Sequence, residues 1–275
     1  MKIAYQGIPG SYSESCAKSN YPKCETISCK TFDECFEMAN DDNNIKAIIP
    51  ESNKTTGNIG IEYLIFKFRL NIQAEHFYKI SHNLLGIKGS NIKQIKHVYS
   101  HAQALSQSSI FIKENNLVEQ VRADTAGSAK FVADSNDKTK AAIASSLSAK
   151  IYNLEIIKKD IQDNKENFTR FLLMGRDVIQ PETDGKLYVT SFLFKLKSKP
   201  AALYSALQGM AINGVNMIKL QSFPEKNSFS SYFFLCEVEG NLNETKIKNS
   251  LEDLNYHCED MSILGVFEAD KLRKK

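Results

Sequence analysis

The chain has 275 residues, of which 42% are hydrophobic and 24% are charged, and its formal net charge is +3. This length suits two domains or one large one, and the composition is ordinary for a globular protein. The small net charge, without a basic run interleaved with aromatic residues, does not indicate a nucleic-acid-binding protein. The sequence shows neither a signal peptide nor a run of about 20 apolar residues, so we expect a cytoplasmic protein with no membrane partner.

The six cysteines and five histidines do not have the spacing of a metal site. No two cysteines form a CxxC pair, and no histidine follows them at the distance typical of zinc ligands. In the cytoplasm, thiols stay reduced. We therefore expect structural cysteines and no metal, and the sequence has no glycine loop typical of mononucleotide or dinucleotide binding.

The N-terminal region alternates strands with capped helices. Residues 2–5 are predicted as a buried strand, residues 7–10 as a turn, and the capping-box spacing from Ser11 to Glu14 predicts a helix start. This arrangement also suits an anion site, although a plain strand-to-helix connection is more common. A second capping box at 31–34 predicts a helix to about residue 39. The strand 46–50 then leads into a polar loop, 51–57, of the kind that binds ligands at a sheet edge.

The same alternation continues to about residue 175. Strands are predicted at 77–80, 83–87, 97–99, 118–121 and 140–144, with a second α/β lobe beginning near residue 78. Helices are predicted from Ser100 to about residue 114, from Thr125, and from Ser145 to about residue 152, each with its hydroxyl residue as the N-cap. The pattern predicts a mostly parallel α/β sheet or two such sheets.

Residues 167–171 (NFTRF) combine an amide, a hydroxyl and a guanidinium between two phenyl rings. Arginine is always charged and can bind a carboxylate through two hydrogen bonds, so the segment suits a small organic anion. Taken alone, a strand edge with a surface arginine is the commoner explanation. Residues 172–174 are predicted as a buried strand.

The pattern changes after a linker at 177–185. Strands are predicted at 187–195, 215–223, 230–238 and 262–267, with helices at 201–212 and 243–254 and a turn at 224–227. This order, βαββαβ, is typical of a ferredoxin-like domain. Residues 271–275 are predicted to be a solvated tail.

Five short motifs occur in the order typical of one enzyme family. They are residues 4–14 (AYQGIPGSYSE), 98–107 (VYSHAQALSQ), 124–129 (DTAGSA), 141–145 (AAIAS) and 167–171 (NFTRF). With them, nearly the whole chain resembles prephenate dehydratase with a C-terminal ACT regulatory domain. The resemblance implies an α/β, two-lobed, periplasmic-binding-protein-like catalytic domain over residues 1–178, with its second lobe at about 78–155. It also implies an α+β, ferredoxin-like (βαββαβ) ACT domain over residues 186–268.

The resemblance also implies the chemistry and its partners. The substrate would be prephenate, converted to phenylpyruvate, water and carbon dioxide in L-phenylalanine biosynthesis without a cofactor. Phenylalanine would be the allosteric effector, and paired ACT domains would make a homodimer or homotetramer. Thr169 would donate a hydrogen bond to the leaving hydroxyl, and Arg170 would bind the side-chain carboxylate.

The residues that the resemblance implies fall into three sets. The catalytic set comprises Asn53, Ser100, Gln107, Thr169 and Arg170. The substrate-binding set comprises Thr125, Ala126, Phe168 and Phe171. The effector-binding set comprises Ala201, Ala202, Leu203, Asn216, Gln221 and Ser222.

Two segments depart from the family pattern. Where the family reads Pro-Ile-Glu-Asn-Ser, residues 50–54 read PESNK, which keeps Asn53, loses the neighbouring acid and hydroxyl and adds Lys54. In the ACT region, residues 200–203 read PAAL in place of Pro-Gly-Ala-Leu, and residues 221–224 read QSFP in place of Glu-Ser-Arg-Pro. The missing charged pair predicts that phenylalanine control is weakened, lost or altered in ligand preference. An arogenate dehydratase and a catalytically silent aromatic-ligand sensor remain alternatives.

Overall fold

The computed structural model describes residues 1–182, 184–225, 228 and 231–274. The strands are β1 (Lys2–Gln6), β2 (Glu25–Cys29), β3 (Ile45–Asn53), β4 (Gly57–Asn58), β5 (Asn71–Lys79), β6 (Asn83–Gly86), β7 (His97–Ser100), β8 (Val118–Val121), β9 (Lys140–Ala144), β10 (Glu155–Lys158), β11 (Phe168–Gly175), β12 (Tyr188–Leu196), β13 (Met217–Pro224), β14 (Tyr232–Glu239) and β15 (Cys258–Glu268). The helices are α1 (Tyr12–Asn20), α2 (Phe32–Asp41), α3 (Glu62–Phe68), α4 (Ala102–Ser106), α5 (Ser109–Glu114), α6 (Thr125–Ser135), α7 (Ser146–Ile151), α8 (Ala202–Ile212) and α9 (Thr245–His257).

These strands form three sheets. The first has the order β2-β1-β3-β11-β5, with β4 paired to β3, and β1 and β2 are parallel. The second has the order β10-β6-β9-β7-β8. In it β7 runs parallel to β8 and β9, whereas β6 runs antiparallel to β9 and β10. The prediction of mostly parallel sheets is therefore wrong for the second sheet, since strand direction depends on pairing between segments far apart in sequence.

The chain divides into two compact units. The first comprises Met1–Cys35, Ile48–Ile59 and His76–Phe171. The second comprises Phe36–Ala47, Gly60–Glu75 and Leu172–Lys275. In the first unit, one cluster of buried side chains includes Leu84, Val98 and Ile143 on strands of the second sheet. This core fixes the strand ends from which polar residues project.

The C-terminal part of the second unit has the predicted βαββαβ order. Its antiparallel sheet has the order β13-β14-β12-β15, and Phe192, Phe194 and Leu254 belong to its buried core. Strand β15 begins at Cys258, earlier than predicted, because Cys258 is already extended where α9 ends. Four predicted segments include residues outside the described ones. They are the linker at 177–185 (residue 183), the turn at 224–227 (residues 226 and 227), the strand 230–238 (residue 230) and the tail (residue 275).

Several local predictions are corrected. Strand β3 continues through Asn53 and pairs with β4, so the predicted loop 51–57 is mostly a hairpin. The helix predicted from 100 to 114 is two helices, α4 and α5. The sequence analysis missed α3 and β10, because both are short and lack a clear capping or alternation pattern.

Two predicted helix caps are also wrong. His101, rather than Ser100, caps α4, since its Nδ1 accepts a hydrogen bond from the backbone of Gln103. Asp124, rather than Thr125, caps α6, since its Oδ1 accepts from Gly127 N at 2.5 Å. A carboxylate one residue earlier fits this N-cap better than the threonine does. The caps predicted at Ser11 and Ser145 are confirmed.

Two observations bear on the expectations about membranes and cysteines. Within the part of the chain that the structure describes, no helix has the length and apolar character needed to cross a membrane. The six cysteines all belong to the described residues and none forms a disulfide.

Candidate active site

A chain of hydrogen bonds joins the end of β3 to the start of β11. Asn53 Oδ1 accepts from the backbone nitrogens of Thr55 at 2.9 Å and Thr56 at 3.2 Å. Because a backbone N–H can only donate, these two contacts fix which end of the Asn53 amide is oxygen. Asn53 Nδ2 therefore donates, to Asn167 Oδ1 at 2.8 Å and to Thr169 Oγ1 at 2.8 Å.

The Thr169 hydroxyl is left as a donor by this arrangement. Its side chain is buried, and its oxygen accepts the hydrogen bond from Asn53. Among the described residues, no acceptor takes the hydroxyl hydrogen of Thr169. A hydroxyl that already accepts one hydrogen bond is a better donor through its own hydrogen, because neighbouring hydrogen bonds polarise one another.

The same chain continues from Asn167 to a buried histidine. Asn167 Nδ2 donates to Gln107 Oε1 at 2.9 Å, and His82 Nε2 lies 2.9 Å from the same oxygen. Since that oxygen can only accept, His82 carries its proton on Nε2. His82 Nδ1, 2.7 Å from the Tyr12 hydroxyl, is then an acceptor of the tyrosine hydrogen, together with Ser81 O at 3.0 Å. Burial lowers the pKa of His82, against a smaller opposite effect of Gln107, which favours this neutral form.

A cavity of about 370 Å³ lies beside this network in the first unit. Its size is in the range of small-molecule sites. Side chains that line it include Thr56, Gln103, Gln107, Gln162, Asp163 and Asn167. The amide and hydroxyl groups in this lining suit a small polar organic ligand.

Arg170 is buried and lies beside an acid. The side chains of Arg170 and Glu51 are only 5% and 3% exposed, and Arg170 Nη1 lies 3.3 Å from Glu51 Oε2. Ser52 Oγ donates to the same carboxylate oxygen at 2.6 Å. Glu51 and Ser52 therefore place an acid and a hydroxyl beside Arg170, while the departure of segment 50–54 from the family pattern stays a prediction about substrate contacts. A surface role for Arg170 is wrong.

The remaining catalytic and substrate-binding residues do not join the network by hydrogen bonds within the described chain. Ser100 is fully buried and donates to Ile143 O at 2.6 Å, which links β7 to β9. Thr125 and Ala126 begin α6. Phe168 begins β11, and the buried Phe171 ring makes an edge-to-face contact with Tyr78, with ring centroids 6.3 Å apart. Of the two predicted sets, Asn53, Gln107 and Thr169 are thus joined in one hydrogen-bond network.

Sequence reasoning missed three members of the site, Tyr12, His82 and Gln162, and it named the Asn167 amide without placing it in the catalytic or substrate-binding set. Asn167 stands inside the NFTRF motif, so its position was a usable signal. His82 carries no local signal, because its partners Tyr12 and Gln107 are 70 and 25 residues away. Only the folded chain places them together.

The groups of the predicted anion site at the start of α1 are occupied by the chain itself. Gly10 N donates to Glu14 Oε2 at 2.6 Å. Gly10 O accepts from Ser145 Oγ at 2.6 Å and from Ser148 Oγ at 2.8 Å. Gly10 has φ +95°, and a Cβ there would lie 2.6 Å from Ser148 Oγ, so this turn requires glycine. These bonds favour the plain strand-to-helix connection, which was the more common of the two arrangements considered for this turn.

The predicted effector residues lie in the second unit, around α8 and β13. Ala201 precedes α8 in the left-handed conformation, with φ 58°, and Ala202 and Leu203 begin the helix. Asn216 Nδ2 donates to Glu239 Oε2 at 2.7 Å. Gln221 Nε2 donates to Glu62 Oε1 at 2.7 Å.

The two residues after Gln221 differ in their surroundings. Ser222 is exposed on β13. The Phe223 ring stacks on Phe233, with centroids 6.0 Å apart. Phe223 therefore already has an aromatic partner in its own chain.

The α/β architecture and a cavity beside an amide and hydroxyl network define a protein with a small-molecule site. The family model described as prephenate dehydratase matches residues 3–178. This chain belongs to the prephenate dehydratase family.

Individual relatives support this assignment. Arogenate dehydratase/prephenate dehydratase 2, chloroplastic, of Arabidopsis thaliana is 35% identical over 280 residues, covering 98% of this chain and 73% of the relative. A bifunctional N-acyl-homoserine lactone acylase/prephenate dehydratase of Komagataeibacter europaeus is 35% identical over 274 residues, covering 99% and 98%. The structure of prephenate dehydratase in complex with L-Phe from Arthrobacter aurescens has a TM-score of 0.88 at 23% identity, covering 98% of this chain and 90% of that one. This last similarity shows the fold.

Proposed function

We propose that this protein is a prephenate dehydratase, a carbon–oxygen lyase (EC 4.2.1.51) that converts prephenate to phenylpyruvate in L-phenylalanine biosynthesis. The bond to the ring carboxylate breaks, and its electron pair enters the ring as carbon dioxide leaves. The ring carbon–oxygen bond then breaks, the hydroxyl departs with a proton as water, and the ring becomes aromatic. The protein is proposed to be cytoplasmic. The proposed reaction needs no cofactor.

The observation that carries this proposal is the Thr169 hydroxyl. Asn53 donates to its oxygen, so the hydroxyl hydrogen can be directed at the leaving group of the substrate. Donation to a leaving oxygen is general-acid assistance, which typically contributes about 10²–10⁴ in rate. Family membership indicates the class of reaction. The Thr169 hydroxyl is the group that would assist the departure of the leaving hydroxyl.

Neutral groups suit the rest of the reaction. Asn167 and Gln107 place amides near Thr169 without a formal charge, so they would not over-stabilise the carboxylate that must leave. Exclusion of water also favours the loss of carbon dioxide. Arg170 is proposed to bind the side-chain carboxylate, which would share the guanidinium with Glu51. Ser100, Thr125, Ala126, Phe168 and Phe171 are proposed to shape the site.

Regulation forms a separate part of the proposal. Residues 1–178 would be the catalytic domain, and residues 186–268 would be an ACT domain that pairs with its copy in a homodimer or homotetramer. The effector site would comprise residues 201–203, Asn216, Gln221 and Ser222. The βαββαβ order supports the ACT assignment. The L-Phe complex named for the Arthrobacter aurescens structure supports phenylalanine as the effector.

The test is product analysis with three substrates. Purified protein would be incubated with prephenate, with arogenate and, because of the activity named for the Komagataeibacter europaeus relative, with an N-acyl-homoserine lactone. Phenylpyruvate formation above a protein-free control supports the proposal. Phenylalanine formed from arogenate alone would identify an arogenate dehydratase, and binding without turnover would identify a sensor.

A further inference from the structure

Two glutamines that line the cavity have buried amide nitrogens with no hydrogen-bond partner among the described residues. Gln162 is 1% exposed, and its Oε1 accepts from the backbone nitrogen of His82 at 2.9 Å. Gln107 Oε1 accepts from the His82 ring and from Asn167. Within the described residues, Gln107 Nε2 and Gln162 Nε2 are buried without a hydrogen-bond partner. Unpaired buried donors are costly, so such groups call for an explanation.

The orientation of both amides is fixed by groups that can only donate. The backbone N–H of His82 must face the oxygen of Gln162. For Gln107, the orientation follows in steps. The backbone N–H of Thr55 orients Asn53, and Asn53 Nδ2 then orients Asn167. Asn167 Nδ2 must therefore donate to the oxygen of Gln107. His82 thus holds the oxygens of both glutamines, through its backbone and its ring. Both acceptor sites of Gln107 Oε1 are thus used, and one of the two on Gln162 Oε1, whereas the NH₂ group of each glutamine can still donate to a ligand.

We propose that Gln162, together with Gln107, binds acceptor oxygens of the substrate side chain and so selects the keto acid prephenate over the amino acid arogenate. This inference rests on the proposed function and adds a specificity determinant to it. The keto oxygen and the carboxylate of the pyruvyl side chain accept hydrogen bonds. The ammonium group of arogenate is a donor, and it would face NH₂ groups that cannot accept.

The discrimination between prephenate and arogenate should be large, because the ammonium of arogenate would face donors where prephenate has acceptor oxygens. A site built to bond one polar group rejects the analogue that leaves its buried groups unpaired far better than an apolar pocket rejects an extra methylene. One carboxylate also lines the cavity, on Asp163, and could in principle attract an ammonium. Its two oxygens already accept from Ser109 N, Ser109 Oγ and Ile110 N, at 3.0–3.2 Å, where it caps α5. These three hydrogen bonds hold that carboxylate at the helix start.

The inference is tested by the ratio of kcat/KM for prephenate to kcat/KM for arogenate. Gln162→Glu keeps the shape and keeps an acceptor for His82 N, but it replaces the donor by an acceptor. We expect this variant to lower the ratio by about 100-fold. Gln162→Met removes the donor without adding a charge, and we expect it to lower the ratio by about tenfold, mainly through prephenate. The exposed Gln94→Glu adds the same charge elsewhere and should leave the ratio unchanged.

Thermal unfolding of each variant checks whether the native fold is kept. If Gln162→Glu does not fold, the test relies on Gln162→Met. A ratio within about twofold of the wild type in a folded Gln162 variant overturns the inference and leaves the proposed function intact. A wild-type protein that turns over arogenate as efficiently as prephenate also overturns the inference alone. Turnover of neither substrate by the wild type overturns the proposed function and the inference with it.

Discussion

At the residue scale, the site is a set of neutral groups whose donor and acceptor roles are determined by the backbone. The backbone nitrogens of Thr55 and Thr56 orient Asn53, and that orientation is passed through Asn167 and Gln107 to His82. The outcome is one hydroxyl hydrogen, on Thr169, and two amide nitrogens, on Gln107 and Gln162, without partners in the described chain. A proton-donating site without a buried net charge suits a reaction in which a carboxylate must be released.

The neutral state of His82 predicts a pH dependence of stability. Burial lowers its pKa in the folded state below the ordinary value of about 6.5, so the unfolded chain takes up the proton first as the pH falls. The contribution of His82 is complete above pH about 6.5 and decreases below it. Relative to His82→Gln, the wild-type free energy of unfolding should fall between pH 7.5 and 5.5. Urea titrations of both proteins measure this difference, and a constant difference would contradict it.

The pair formed by Arg170 and Glu51 predicts strong energetic coupling. Arg170→Met or Glu51→Ile removes one charge of this buried pair, so each should destabilise the protein by about 3–5 kcal/mol. The double variant removes both charges and should be much less destabilised than the sum of the single changes. Chemical denaturation of the four proteins measures the coupling. Simple additivity would show that the two side chains do not depend on each other.

Residue identity could be predicted from the sequence only where a motif is local. Thr169, Asn53 and Gln107 stand in short motifs, and all three lie in the observed network. The pairing of Arg170 with Glu51 could not be predicted, because the two are 119 residues apart. Ser100 was assigned to the catalytic set, but its hydroxyl donates to Ile143 O. This bond could not be predicted, because it depends on the pairing of β7 with β9.

At the element scale, capping boxes and alternation predicted most strands and helices. The boundaries of these elements and the directions of the strands depended on tertiary contacts. Helix α8 and the βαββαβ order were predicted nearly to the residue. The break between α4 and α5 and the antiparallel direction of β6 were not, because neither has a signal in the local residue pattern.

The start of α8 predicts a stabilising substitution. Ala201 has φ 58°, a left-handed conformation that costs an alanine about 1–2 kcal/mol, and the family pattern has glycine at this position. Ala201→Gly should therefore raise the free energy of unfolding by roughly 0.5–1 kcal/mol, after the larger entropy of unfolded glycine is counted. The matched control is Gly214→Ala, at φ +63° with no atom within 4 Å of an added Cβ. It should destabilise by a similar amount, and changes of the same sign in both would contradict this account.

At the scale of the whole molecule, the second unit predicts altered effector binding. The family pattern has an acid and a base where this chain has Gln221 and Phe223, and these residues already contact Glu62 and Phe233. Each charged hydrogen bond contributes about 1.5–3 kcal/mol, and about 1.4 kcal/mol corresponds to a factor of ten. Phenylalanine should therefore bind at least about tenfold more weakly than to a typical family member that has this acid and base. Calorimetric titration with phenylalanine, tyrosine, leucine and methionine compares the two, and equally tight phenylalanine binding with full inhibition would contradict the expectation.

The central claim is that Thr169 supplies the hydrogen for the departing hydroxyl of prephenate. The most direct measurement is kcat for phenylpyruvate formation by the wild type, Thr169→Val and Thr169→Ser. Valine keeps the shape of threonine without the hydroxyl, and serine keeps the hydroxyl. The account predicts that kcat falls by about 10² or more in Thr169→Val with a much smaller change in KM, and that Thr169→Ser retains most of the wild-type rate. A Thr169→Val enzyme within a few-fold of the wild-type kcat would contradict it.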